Sequence, residues 1–207
     1  MLRSWKSSGA PERVRRLGIL PAAFNPPTVA HLEIARHAAR QYALDEVLFL
    51  LPEVFPHKTW EGATFEQRVE MLEAALAGEP RFSIGSTDTG LFIDIARACR
   101  PLYPEAESFF LCGRDAAERI MNWDYGAEIP FAAQLEQYQM LVAPRGGPIA
   151  IPPAYADRIH ALDVPPEFES FSSSAVREAI ATGEPWEHLA PAAVATMIRR
   201  DGLYRST

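Results

Sequence analysis

Thr28 and His31 stand three residues apart just after Asn25-Pro26-Pro27, where an apolar run ends and a helical pattern begins. At that spacing both side chains project from one side of the first helical turn. The paired prolines stop a strand, Asn25 or Thr28 can cap the helix, and the next turn leaves unpaired backbone N–H groups at a positive dipole end. A polyphosphate there would meet amide donors, a hydroxyl and an imidazole together, although any strand–turn–helix can carry a Thr and a His without binding anything. His31, His57, Lys58, Arg145 beside Gly146-Gly147, and Arg177 are the cationic candidates. The ammonium of Lys58 could reach phosphates as a point charge; a solvated His-Lys pair and a plain loop arginine are the bland alternatives. Ser172, Ser173 and Ser174 precede a helical run from Ala175 to Ala181, so they either offer hydroxyl and amide donors to phosphates or simply cap. Asp115, after Gly113, is either a partner for a ribose or base or an ordinary helix cap.

The elements that must position these residues follow from periodicity. Apolar runs at 17–20, 47–51, 81–85, 108–112 and 139–143 have strand length, and amphipathic segments at 29–42, 65–77, 90–100 and 114–121 separate them. This alternation predicts an α/β fold, a Rossmann-like parallel sheet flanked by helices with right-handed crossovers. Ligands of such sheets sit beyond the carboxyl ends of the strands at the switch point, where the segments around His31, His57 and Gly113 would meet. Residues 144–170, rich in proline, read as a long connection with a short strand near 159–164.

Composition bounds the function. A chain of 207 residues with 48% apolar content can bury a core and lacks an apolar run long enough to cross a bilayer. One domain over residues 16–207 is expected, with residues 1–15 as a flexible extension, and a cytoplasmic location. A net charge of −7 argues against a nucleic-acid surface, which needs a broad basic face, but allows a local basic pocket for a phosphorylated small molecule. A homo-oligomer is left open. Cys99 and Cys112 lack metal-type spacing and read as buried reduced thiols. No His or carboxylate cluster has structural-zinc spacing, so no protein metal cage is expected.

The motifs, taken in order, resemble those of the nucleotidyltransferase (cytidylyltransferase-like) superfamily, most closely its bacterial nicotinate-nucleotide adenylyltransferases. Thr28-Val29-Ala30-His31 is similar to the (His or Thr)-x-Gly-His signature. Leu51-Pro52-Glu53-Val54-Phe55-Pro56-His57-Lys58 resembles the Pro-Pro-His-Lys loop, and Arg68 to Leu72 the helix after it. Phe109 to Asp115 resembles the strand ending in Gly-x-Asp, Phe171 to Arg177 the Ile-Ser-Ser-Thr-x-Ile-Arg segment, and Leu189 to Tyr204 the closing helix. The resemblance implies adenylyl transfer from ATP to nicotinate mononucleotide, giving deamido-NAD and pyrophosphate, with Mg²⁺ accompanying the ATP. It implies His31, Thr28 and Lys58 as catalytic residues. Ala22, Ala23, Phe24, Thr28, His31, Gly113, Asp115, Ser172, Ser173, Ser174 and Arg177 would bind ATP. Asn25, His57, Lys58, Phe92, Trp123 and Arg145 would bind the acceptor, Trp123 by stacking on the pyridine ring unless it is a core tryptophan.

This sequence departs from the pattern at several points. Pro21-Ala22-Ala23 replaces Gly-Gly-(Ser or Thr), Asn25 replaces Asp, and Ala30 replaces Gly, which implies a tighter pocket. The segment Thr89 to Asp94 lacks the Tyr-Thr pair of the family's nicotinate-recognition region. Two other functions therefore stand beside the first: transfer to another phosphorylated acceptor such as phosphopantetheine, and a non-catalytic nucleotide-binding paralogue.

Overall fold

Each central strand is apolar on both faces, and the computed structural model places a helical layer on each. It describes residues 3–5, 13–53, 62–126 and 129–205. In chain order the elements are β1 (Arg3–Trp5), β2 (Arg16–Pro21), α1 (Val29–Gln41), β3 (Glu46–Pro52), α2 (Phe65–Leu76), β4 (Phe82–Thr87), α3 (Phe92–Cys99), β5 (Glu107–Gly113), α4 (Arg114–Met121), α5 (Phe131–Gln134), β6 (Gln139–Ala143), β7 (Ile159–Ala161), α6 (Ser173–Thr182) and α7 (Ala192–Asp201). The sheet order is β1-β4-β3-β2-β5-β6-β7. β2 to β7 are parallel throughout, and β1 pairs antiparallel with β4 at the edge. The expected parallel sheet is therefore present, with its order reversing at β2, between β3 and β5.

The strand period of two divides the core. Val47, Phe49 and Leu51 of β3 face one cluster with Leu32, Leu72, Val176 and Val194, whereas Leu48 and Leu50 face the other with Ile95, Ala117 and Phe131. All seven residues of β3 are buried, as a strand covered on both faces requires. Gly18 serves packing: a Cβ there would lie 2.8 Å from Leu44 Cδ1 and 3.1 Å from Val47 Cγ2. The missing side chain lets the α1–β3 connection settle on β2.

Two elements differ from the reading of the sequence. Arg3–Trp5, within the segment expected to be an extension, supplies the edge strand β1. Three residues carry too little periodicity to reveal a strand, and its partner is distant in sequence. The four-residue α5 is likewise too short to show a helical period. Residues 144–170 do form a long connection, with 3₁₀ turns at Pro153–Tyr155 and Pro166–Phe168 and the expected strand at Ile159–Ala161. Cys99 and Cys112 are buried and unbridged, and burial pushes both thiols up to about 12, which keeps them unreactive.

Phe49 is fully buried, with its ring 5.6 Å from that of Phe24 and 5.3 Å from that of Phe82. Phe49→Ala should cost about 3–5 kcal/mol, the range for deleting a core phenylalanine. Urea unfolding would measure it, and a loss below about 1 kcal/mol would contradict the packing described.

Candidate active site

β2 ends at Pro21, and the chain then turns over the carboxyl edge of the sheet before entering α1. Ala22 N–H still reaches the Leu50 carbonyl of β3 at 3.2 Å. Phe24 is fully buried and has φ +46°, a left-handed conformation uncommon for a bulky residue. Its ring meets that of His31 edge-on, centroids 5.1 Å apart. A buried aromatic thus anchors a turn that has no glycine, and the imidazole rests on it.

Thr28 is the N-cap of α1 and fully buried; His31 is the third helical residue. Thr28 N–H donates to His31 Nδ1 at 3.0 Å, and Thr28 Oγ1 lies 2.8 Å from the same nitrogen. A backbone amide can only donate, so Nδ1 is the acceptor and the neutral ring carries its proton on Nε2. His31 therefore takes the place that Glu or Gln fills in a capping box, while its outer nitrogen remains a donor. Burial first, and then the charge of Arg145, lowers its pKa to about 4. The sequence counts His31 among the cations; the structure corrects this, for at neutral pH the imidazole is uncharged.

The other strand ends deliver their residues beside this turn. Gly113 of β5 pairs in register with Ala143 of β6. Gly113 is itself the N-cap of α4, with no side-chain hydrogen bond closing the helix and open space above its Cα. Asp115 is therefore not the cap: it lies inside the first turn and is exposed. After β6 comes Arg145, exposed and close enough to His31 to act on its pKa. The turn at Gly146 and Gly147, with φ +66° and +115°, is pinned twice. Arg114 Nη1 donates to the Gly146 carbonyl at 2.8 Å, and Gly146 N–H donates to Glu169 Oε2 at 2.9 Å.

The C-terminal segment closes the turn from the far side. Ser172 caps α6, its hydroxyl accepting from Ala175 N–H at 3.1 Å. Ser173 Oγ donates to the Pro26 carbonyl at 2.8 Å, and Arg177 Nη1 to the Asn25 carbonyl at 2.7 Å. Arg177 Nη2 lies 3.3 Å from Ser174 Oγ, leaving Ser174 exposed at the helix entrance. From α2, the buried Arg68 donates through Nη1 to the Ala23 carbonyl at 2.9 Å. Three carbonyls of this one turn, those of Ala23, Asn25 and Pro26, are thus satisfied by side chains that lie 45 to 152 residues away.

Of the residues expected to bind the acceptor, Asn25 is buried in the turn. Phe92 stacks on Phe110 with centroids 4.2 Å apart, which commits one face of its ring to the core. Trp123 is 51% exposed and is not a core tryptophan. His57 and Lys58 lie outside the described residues. Arg68, Arg114 and Glu169 were not singled out from the sequence, because their partners are backbone groups that no local pattern reveals. Among the described residues no three His, Cys, Asp or Glu side chains converge as a metal site would require, and no helix is long and apolar enough to cross a membrane.

Comparison with known proteins decides the family. Residues 19–179 match the description cytidylyltransferase-like. The chain belongs to the cytidylyltransferase-like family. A relative from Gloeobacter violaceus, named "Probable nicotinate-nucleotide adenylyltransferase", is 36% identical across 91% of this chain and 96% of its own. One of the same name from Thermus thermophilus is 32% identical across 92% and 100%. The structure of Plasmodium falciparum nicotinic acid mononucleotide adenylyltransferase complexed with NaAD superposes with a TM-score of 0.73 over 92% of this chain and 97% of that one, at 16% identity, a likeness of fold.

The tautomer and the depressed pKa are directly measurable. Nitrogen-15 NMR of the imidazoles should show His31 in the neutral Nε2–H form at pH 6, titrating with a midpoint near 4. Between about pH 6.5, the ordinary histidine value, and that midpoint the unfolded chain binds a proton that the folded one does not, so His31 makes stability fall as pH falls through this window. A midpoint at 6 or above would refute the buried, Thr28-bonded geometry.

Proposed function

We infer that the protein transfers the adenylyl group of ATP to nicotinate mononucleotide, forming nicotinate adenine dinucleotide (deamido-NAD) and pyrophosphate. The observation that carries the reading is the His31 Nε2–H donor, fixed by Thr28 at the start of α1 over the carboxyl edge of the sheet. The full-length relatives named as nicotinate-nucleotide adenylyltransferases support the acceptor.

In this reaction a phosphate oxygen of the mononucleotide attacks the α-phosphorus, the bond from that phosphorus to the bridging α–β oxygen breaks, and the electron pair leaves with pyrophosphate. The attacking oxygen is already ionised, so neither a general base nor a covalent nucleophile is needed. Positioning and charge stabilisation carry the rate. His31 Nε2–H would donate to the α-phosphate as negative charge gathers there; being neutral beforehand, it pays no desolvation of a cation. The open amino end of α4 at Gly113 and exposed Asp115 would take the adenosine side. Ser174 and the remaining donors of Arg177 would reach the outer phosphates, and Arg145 the acceptor phosphate. The half-exposed indole of Trp123 would stack on the pyridine ring, with Lys58 and His57 adding charge. Magnesium would arrive with the ATP, held by its phosphates and water.

Incubation with ATP, Mg²⁺ and either nicotinate or nicotinamide mononucleotide, with chromatography of the dinucleotide and a pyrophosphate assay, tests the assignment. Nicotinate adenine dinucleotide should form. ATP binding without pyrophosphate release would favour the non-catalytic reading, and turnover only with phosphopantetheine would replace the acceptor. His31→Ala should lower kcat about 10²–10³-fold, the loss typical of one aimed donor. It should cost only about 1 kcal/mol of stability through the lost Thr28 bond. Unchanged turnover would remove His31 from the chemistry.

A further inference from the structure

Tyr204 lies beyond α7, 179 residues from the phosphate turn, yet its hydroxyl donates to Asn25 Oδ1 at 2.7 Å. Gly202 at φ +61° ends the helix, and Tyr204 at φ +65° turns its side chain back toward the sheet edge. A left-handed tyrosine is an unfavourable conformation that the surrounding contacts must hold. Those contacts are specific. Arg68 and Arg177, which donate to the Ala23 and Asn25 carbonyls, both lie within electrostatic reach of the phenol. Burial raises the phenol pKa above its ordinary value, so the hydroxyl stays protonated and available as a donor.

The ring has a second neighbour. A Cβ at Gly62 would lie 2.6 Å from both Cδ1 and Cε1 of Tyr204, and Gly62 has φ +101°. Only glycine fits against the ring at that backbone conformation. Gly62 follows directly on the segment that contains His57 and Lys58. One tyrosine therefore touches both Asn25, in the turn that leads into α1, and Gly62.

We propose that Tyr204 is a positioning residue for adenylyl transfer, its hydroxyl fixing the Asn25 side chain in the turn that leads to His31 while its ring packs against Gly62. The proposal rests on the adenylyl-transfer reading. Tyr204 touches neither substrate; it acts through Asn25.

The test is a double-mutant cycle of Tyr204→Phe and Asn25→Ala, with steady-state kinetics for both substrates and thermal melting of each variant. Tyr204→Phe keeps the ring and loses one neutral hydrogen bond, so kcat/KM for ATP should fall about 3- to 10-fold. The fall should appear mainly in kcat, with the melting midpoint close to wild type. In the Asn25→Ala background the same change should cost nothing further, because the partner is already gone. Full activity of Tyr204→Phe, losses that multiply across the cycle, or a kinetic loss explained by partial unfolding would each overturn the proposal. If the wild type itself makes no dinucleotide, the functional reading fails separately. The His31 imidazole signal, read without substrate, then decides the positioning role: a shift in Tyr204→Phe supports it, and an unshifted signal overturns it.

Discussion

The structure depends on how the backbone carbonyls of Ala23, Asn25 and Pro26 are satisfied. This turn leaves the sheet, reverses over its carboxyl edge and is largely buried, so it cannot rely on water for its hydrogen bonds. Arg68, Arg177 and Ser173 each bring one donor to one carbonyl. Two of these bonds come from guanidinium groups, the stronger class. An unpaired buried carbonyl would cost about 1–3 kcal/mol, so loss of any one donor is felt at the turn. Of the two arginines, Arg68 is buried behind the turn, whereas Arg177 stands in the first turns of α6, so the proposed phosphate role would give it an electrostatic duty beside its structural one.

His31 shows the same economy. Thr28 satisfies an imidazole nitrogen, and the imidazole in turn satisfies the Thr28 amide. The pair closes the helix entrance while leaving the ring's proton on Nε2. A cationic histidine would lose the amide bond, because a protonated Nδ1 accepts nothing. Burial against Phe24 and the nearby Arg145 both favour the neutral ring.

Much of this was legible in the sequence, for identifiable reasons. β3 is a run of apolar residues of strand length, and α1 and α2 have strong periodicity with Thr caps, so their bounds were readable to within a residue or two. Thr28 and His31 were legible as a pair because helical spacing alone brings them together. The tautomer was not, since it depends on one amide direction. Arg177 and Ser173 were readable as polar groups at a helix start, but not their bonds to Asn25 and Pro26, which cross about 150 residues of chain. Arg114 and Glu169 pin a glycine turn through contacts that no spacing rule encodes. The sequence leaves Asp115 either a ribose or base partner or a helix cap; β5 runs into α4 with Gly113 as the cap, which removes the second alternative.

The antiparallel pairing of β1 with β4 has a consequence for solubility. β4 is six residues long and buried throughout, and without β1 its outer row of amides and carbonyls would face water. Such an edge is a template for adding another chain, whereas the opposite edge, β7, has only three residues and offers little to pair with. A version of the protein beginning at residue 16 would retain every site residue discussed above while uncovering the edge on which copies could stack.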